Sequence, residues 1–410
     1  MQQDFGSNRS IRRRTIITTS AGAIAGLFAG CLGDVTDSDQ DDHADGGSSD
    51  HPGTDESDED SPDSLAAAEP AASAVDGTAI SWDDLGDLSG TITIYCGRTR
   101  DQIEPVFQAL ESEYPDLTLD IDWNDNDAMV SQLMQEEDNT PADLVYSQDP
   151  GALGALYDDG LLQELPVDIV DAVPGSFREP DGHWTGVTGR VRAIQYNSER
   201  LDETDFDSWD ELPTDIEAYA TDERLSGIIS TRPNSGTFRG FIQAMVDRKG
   251  EETTREWVRA MVQDQDVQLF TGGSDQAEAV NRGGDDDPIV ALGNSYYAAR
   301  ILNEDPDAPI RVTFTENDAG CLFSVAGVGG TNNIDDPALV AEFIRHLLAE
   351  EGQEFMMDAN GEYPVVEGIE YVGPLPDLEE INPPSFDLST FDMELREAQD
   401  LLVEEGMLSQ

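Results

Sequence analysis

Lysine is nearly missing from this chain: Lys249 is the single lysine among 22 Lys plus Arg, set against 87 Asp plus Glu, for a formal net charge of −65. With so few cations, nothing would neutralise phosphates, and nucleic acid is excluded as a partner. An acid excess with almost no lysine points to concentrated salt as the working medium, where counterions screen the self-repulsion of a compact acidic chain. Cysteine is scarce too. Cys31, Cys96 and Cys321 cannot build a disulfide framework, and Cys96 and Cys321 read as small buried thiols. Histidine occurs only at His43, His51, His183 and His346. No His/Cys metal cluster, G-x-S-x-G elbow or P-loop is present, which leaves an exported hydrolase with little support. Long apolar runs are also lacking. The one N-terminal run, Ile16 to Gly30, is too short and too rich in Gly, Ala and Thr to span a bilayer.

That run reads instead as part of an address. Arg12-Arg13-Arg14-Thr15-Ile16-Ile17 has the paired arginines, spacer and apolar residues of a twin-arginine signal. It ends in Leu27-Phe28-Ala29-Gly30-Cys31, a lipobox pattern in which small residues precede a cysteine that is lipidated. A short core helix is the other reading, but the next fifty residues could not cover it. We therefore expect residues 1–30 to be a lipoprotein signal and Cys31 to carry the lipid. The protein would sit on the outer face of the cytoplasmic membrane, at the cell surface. From Asp34 to Asp63 there is no Lys or Arg among thirteen acids, Ser, Gly and Pro. Such a stretch cannot bury enough apolar surface to fold, and like charges extend it, so 31–79 reads as a disordered acidic tether.

Beyond Ile80 the pattern alternates. Thr91–Tyr95, Leu117–Trp123 and Ala142–Tyr146 have the period of strands, while Ile103, Val106, Phe107, Leu110 and Tyr114 fall on one helix face. Further strands are expected at Gly227–Ser230 and Ile289–Gly293. Further helices are expected from about Thr237, from Asp336-Pro337 to about Glu351, and through Leu395–Leu402 up to Gly406. This β-α order predicts an α/β protein with mostly parallel sheets, in two lobes with a ligand held at strand ends between them. Lobe 1 is expected at 80–190 plus 315–365 and lobe 2 at 191–314 plus 366–410. Crossing strands would lie near Arg190–Tyr196 and Arg311–Phe314.

Candidate chemistry gathers at the corners. Asn294-Ser295-Tyr296-Tyr297 follows a strand, and at a strand-to-helix corner both phenols could converge on one point. Phenolate oxygens are hard donors suited to Fe³⁺, which lowers the phenol pKa enough to deprotonate it. Two half-buried surface aromatics are the plainer alternative. Arg98, Arg100, Arg190, Arg192, Arg232 and Arg239 stand near strand ends in a chain otherwise poor in cations. Guanidinium groups suit an oxyanion, and so does the Ser235-Gly236-Thr237 turn, which opens a helix with free N–H groups. Surface ion pairs and an ordinary helix cap would account for the same residues.

Taken in order, a longer set of landmarks is more specific. These are Ile92-Thr93-Ile94-Tyr95-Cys96-Gly97, Pro141–Tyr146, Gly151-Ala152-Leu153, Gly189-Arg190-Val191-Arg192 and Tyr196-Asn197. Asn234–Phe238, Asn294–Tyr297, Ala319-Gly320, Gly327-Val328-Gly329 and Glu362-Tyr363-Pro364-Val365 complete it. With them the chain resembles the ferric-iron-binding periplasmic proteins of ABC importers, in a haloarchaeal lipoprotein form. The resemblance implies a two-lobed type II periplasmic-binding-protein fold with the ligand cleft between the lobes, no enzymatic activity, and a monomer that serves an ABC permease and its ATPase. It makes Tyr296 and Tyr297 the metal ligands. It puts Asn294, Ser235, Gly236 and Thr237 where a synergistic anion is held. Thr99 and Gln148 stand where some members have a ligand His and Glu, and Phe238 where others have a third Tyr. The implied cargo is therefore Fe³⁺ held by two phenolates plus carbonate or another synergistic anion, clamped by Arg98 and Arg190, whose charges would make the bare site positive. Gln148 and Asp149 are further possible ligands. A binder of a small oxyanion or phosphonate is the competing reading.

Overall fold

The computed structural model describes residues 64–69, 80–384 and 391–409; the expected signal segment and Cys31 lie outside them. The first part of the folded chain runs β1 (Gly90–Cys96), α1 (Arg100–Glu113), β2 (Leu117–Trp123), α2 (Asn126–Glu136), β3 (Leu144–Ser147), α3 (Pro150–Asp158), α4 (Val167–Asp171) and β4 (Thr185–Asn197). Next come β5 (Ile229–Thr231), α5 (Gly236–Lys249), α6 (Glu251–Gln263), β6 (Gln268–Leu269), α7 (Gly273–Arg282), β7 (Val290–Asn294), α8 (Ser295–Glu304) and β8 (Ile310–Thr313). The last are β9 (Phe323–Gly330), α9 (Pro337–Leu348), α10 (Glu350–Asn360), β10 (Tyr363–Pro364), α11 (Leu378–Ile381) and α12 (Phe391–Glu404).

The alternating residues of β1 send Ile92 and Ile94 into the core, where neither has exposed surface. The predicted face of α1 is buried as well, with Phe107 set against the rings of Trp123, Tyr146 and Phe343. β1 pairs in parallel with β2 and β3, and β9 runs antiparallel beside β3. Farther along the chain, β5 pairs in parallel with β6 and β7. Two α/β lobes result, and β4 belongs to both. Its first part, Thr185–Val191, pairs with β9, and its last part, Arg192–Asn197, pairs with β7 and β8. Nearly every residue of β4 is buried, as expected for a strand covered on both faces. Gly189 is required by a close approach: a β-carbon there would lie 2.0 Å from Phe323 Cζ. The chain crosses back between the lobes from β8 to β9.

Three local readings differ from the structure. Within the expected tether, residues 64–69 are docked rather than free. Leu65 is fully buried, its N–H donates to Gln163 Oε1 (3.1 Å), and Ala68 O accepts from Arg345 Nη2 (2.8 Å). Leu65–Ala68 is an apolar run in that acidic segment, and burial of Leu65 on the core accounts for its docking. The helix expected to continue from Asp336 to about Glu351 ends at Leu348. Ala349 is extended, and α10 starts so close behind that a β-carbon at Gly352 would lie 2.3 Å from His346 O. Residues 366–410 are not confined to the second lobe. Glu367 N–H donates to Ala172 O in the first (3.4 Å), and α12 packs on both α3 and α5. Cys96 and Cys321 are buried and free, and burial pushes the Cys96 thiol up to about 12.

Candidate functional site

Strand ends set the site. Parallel strands turn into helices at the same edge of each lobe, and five such corners face one cleft of about 430 Å³. The residues that precede α1, α2, α3, α5 and α8 (Thr99, Asp125, Asp149, Ser235 and Asn294) all line it. Five helix N-termini therefore border one volume, and the amides their caps leave free add partial positive charge there.

Tyr296 and Tyr297 occupy the first turn of α8, directly after β7. The preceding Ser295 fixes the corner by accepting the Val191 N–H of β4 (3.2 Å). Both phenols line the cleft, with ring centroids 4.1 Å apart and planes at 38°. Tyr296 is buried and Tyr297 half-buried. The Tyr297 ring lies over Gly273 at the start of α7, where a β-carbon would come within 2.3 Å of Cε2. Its hydroxyl accepts from Arg232 Nη1 (3.3 Å). Burial pushes the Tyr297 phenol above its ordinary value, and Tyr296 adds to the rise; Arg232 and Arg190 pull it back in part. Without a bound cation, Tyr297 is protonated at neutral pH.

The two expected clamp arginines differ. Arg98 lines the cleft but is nearly enclosed. Its Nη2 donates to both oxygens of buried Glu362 (2.8 and 2.9 Å), and its Nη1 to Thr188 Oγ1 (3.2 Å) and Tyr146 Oη (3.4 Å). Only Nε lacks a partner. Burial alone would lower this guanidinium's pKa, yet Glu362 more than reverses that and holds it above its ordinary value. Arg190 has no such counterion. Its Nη2 donates to the Gln148 carbonyl, while Nε and Nη1 are buried without a partner. Burial pulls its pKa down, against the opposing influence of Glu362, Tyr296 and Asp149. Arg190 is not among the residues lining the cleft. With Arg98 neutralised by Glu362, the lining guanidinium without a carboxylate partner among the described residues is Arg232, which meets only Tyr297 and Asn234.

Ser235 caps α5 by accepting Phe238 N–H (3.1 Å). Asn294 donates to Thr237 Oγ1 (3.0 Å), and its buried Oδ1 has no partner. Gln148 and Asp149 both reach the cleft. Asp149 Oδ1 caps α3 through Ala152 N–H (3.2 Å), and Oδ2 accepts from Asn126 Nδ2. Phe238 does not line the cleft; its ring is fully buried, stacked on Phe241 and against the Arg192 guanidinium. Thr99 does line it. Among the described residues no three His, Cys, Asp or Glu side chains gather as a metal site. A hard cation here would find oxygen in the phenols, in the Gln148 and Asp149 side chains and in exogenous ligands. Orphaned N–H groups on Arg190 and Arg98, with the helix N-termini, fit an oxyanion supplied from solution.

Sequence reasoning missed Glu362 and Asn126. Glu362 appeared only as a landmark, since one acid among 87 Asp plus Glu carries no signal of pairing. Asn126, which also accepts Ser147 Oγ–H and Gln148 N–H (3.2 Å each), has no distinguishing pattern. Two bridges between the lobes were equally invisible: Arg239 to Asp127 (3.4 Å), both on the cleft, and Arg300 to Asp101 (3.5 Å).

A family described as bacterial extracellular solute-binding protein matches residues 139–387. Among curated relatives, iron uptake protein A1 of Synechocystis sp. is 29% identical over 252 residues, which span 59% of this chain and 67% of that protein. The major ferric iron-binding protein of Neisseria meningitidis serogroup A is 25% identical over 282 residues, 67% of this chain and 80% of the relative. Among solved structures, iron-bound HitA from Pseudomonas aeruginosa superposes with a TM-score of 0.69 at 26% identity, over 77% of this chain and 99% of HitA.

Proposed function

Because the chain belongs to the bacterial extracellular solute-binding protein family, whose members are transport proteins and not enzymes, we propose that its cleft carries ferric iron for an ABC permease and its ATPase. Tyr296 and Tyr297 ligate the metal as phenolates. Carbonate, or another oxyanion, fills remaining positions and is held by Arg190, Ser235, Gly236, Thr237 and Asn294, with Arg98 contributing its Nε. The observation that carries this reading is the phenol pair, 4.1 Å apart, opening onto the same cleft as five helix N-termini. Similarity to iron-binding relatives supports it. Arg98 and Glu362 cancel each other.

Closure brings residues of both lobes onto the ligand, so binding is linked to the shape a permease reads. Lipidation at Cys31 tethers the protein to the outer face of the membrane, and the acidic surface suits high salt. No helix among the described residues is long and apolar enough to cross a membrane.

Phenolate-to-iron charge transfer gives the test. Purified protein with Fe³⁺ and bicarbonate should show a visible absorption band, which the Tyr296→Phe, Tyr297→Phe double variant loses. A double variant that binds Fe³⁺ as tightly as the parent would overturn the iron reading. The orphaned N–H groups of Arg190 favour a second reading, a carrier of an oxyanion or phosphonate as cargo. Such a protein would stay colourless with iron present.

A further inference from the structure

One carboxylate stands beside the proposed anion site. Asp149 comes from the first lobe, yet its Oδ2 faces the start of α5 in the second, where a β-carbon on Gly236 would lie 3.1 Å away. The cap of α5 is already engaged: Ser235 Oγ accepts the Phe238 N–H (3.1 Å), donates to Arg232 O (3.2 Å) and lies 3.4 Å from Thr237 Oγ1. The N–H groups of Gly236 and Thr237 have no partner among the described residues. They are the donors that an oxyanion would use. Arg190 sits close by, with Nη2 on the carbonyl of Gln148, the residue before Asp149, and with Nε and Nη1 free.

Asn294 shows that the carboxylate does not complete the site. Its Oδ1 is an acceptor, buried in the same cleft wall and unpartnered. An ionised carboxylate has no proton to give it. Hydrogen carbonate, dihydrogen phosphate or a metal-bound water does. A ligand that carries a donor would satisfy Asn294 Oδ1.

We infer that Asp149 is a built-in competitor of the synergistic anion: in the metal-free protein its carboxylate lies beside the start of α5, and its charge opposes an incoming oxyanion there. The inference rests on the anion site proposed above and deepens it. Two anionic groups side by side at the start of α5 repel each other. When iron arrives its charge relieves that repulsion, so anion and metal enter together rather than the anion entering alone. Asp149 thereby makes the cleft selective for the metal–anion pair over the free anion.

The test uses the full, metal-free chain and the variant Asp149→Asn. Asparagine caps a helix about as well as aspartate, so α3 keeps its cap and only the charge is lost. Calorimetric titration with bicarbonate, and separately with inorganic phosphate, should show anion binding at least about tenfold tighter in the variant, equivalent to about 1.4 kcal/mol. Asp149→Ser, which also retains a cap, should behave the same way and serves if the asparagine variant folds poorly. Unchanged or weaker anion binding in both variants would overturn the inference. Because no iron is present, this outcome is separate from the tyrosine test. Tighter anion binding in Asp149→Asn alongside full iron binding by the tyrosine double variant would keep the competitor and reject the iron site.

Discussion

Replacing Glu362 with glutamine tests the electrostatic design of the cleft most directly. Glu362 and Arg98 have fully buried side chains, joined by contacts of 2.8 and 2.9 Å from one guanidinium nitrogen to both carboxylate oxygens. Glu362 Oε2 also accepts from Thr188 Oγ1 (2.9 Å) and Asn360 Nδ2 (3.4 Å). Glutamine has nearly the same shape but removes the charge. It also turns one acceptor into an N–H donor, which faces other donors. Breaking a buried pair from one side costs about 3–5 kcal/mol, because the remaining charge is left enclosed without a counterion. Since amide oxygen still accepts one hydrogen bond, about 3 kcal/mol is expected. That is a large share of a typical folding free energy of about 5–15 kcal/mol, yet it leaves the protein folded. The loss should be partly reversible by ligand. Freed from Glu362, Arg98 becomes a second uncompensated cation on the cleft, and added phosphate supplies its counterion. At one hundred times its dissociation constant an anion contributes about 2.7 kcal/mol to stability. Urea unfolding followed by tryptophan fluorescence, with and without phosphate, measures both effects. The phosphate-induced gain should be greater in Glu362→Gln than in the parent. A variant that loses under about 1 kcal/mol and gains no more from phosphate than the parent would show that Arg98 is not held by Glu362.

Three further outcomes follow from the same geometry. Iron affinity in bicarbonate, measured against a competing chelator, should fall at least about tenfold for each unit of pH lowered below neutrality: Tyr297 is protonated in the free protein because burial raises its pKa, and each proton displaced by the metal contributes one power of ten. A flat profile would exclude phenolate ligation. Gly273→Ala would place a β-carbon 2.3 Å from Tyr297 Cε2 and 2.7 Å from its Oη; the ring must swing away, with about 1–3 kcal/mol of overpacking and a loss of iron affinity visible by titration, and parental affinity would show that the Tyr297 position does not matter. Arg13 and Arg14 replaced by lysine should block export, since ammonium groups do not reproduce paired-guanidinium recognition, and Cys31→Ser should release the protein into the medium, with unchanged membrane retention rejecting lipidation.

Local pattern carried much of the fold. The alternation of Thr91–Tyr95, the helical face of Ile103–Leu110 and the Ser235 and Asp336 caps were all legible, because period and capping depend on neighbours within a few residues. The Tyr296-Tyr297 corner was legible for the same reason: a strand followed at once by a helix sets adjacent side chains on one turn. Failures came where distant segments meet. Docking of Leu65, the break at Ala349 and the double contact of α12 depend on surfaces provided by residues far away in the chain.

By itself, then, the sequence determined the α/β alternation, the phenol pair at a helix start, and a surface so acidic that only backbone and a few arginines could attract an anion. Tertiary structure decided which of those arginines is free. Arg98 and Arg190 look alike along the chain, but Arg98 lies 264 residues from Glu362 in sequence and 2.8 Å from it in space, whereas Arg190 meets only a carbonyl. It also set Asp149 of one lobe against Gly236 of the other. Charge pairing in a buried site follows from through-space distance and the loss of water, and neither quantity is written in residue order.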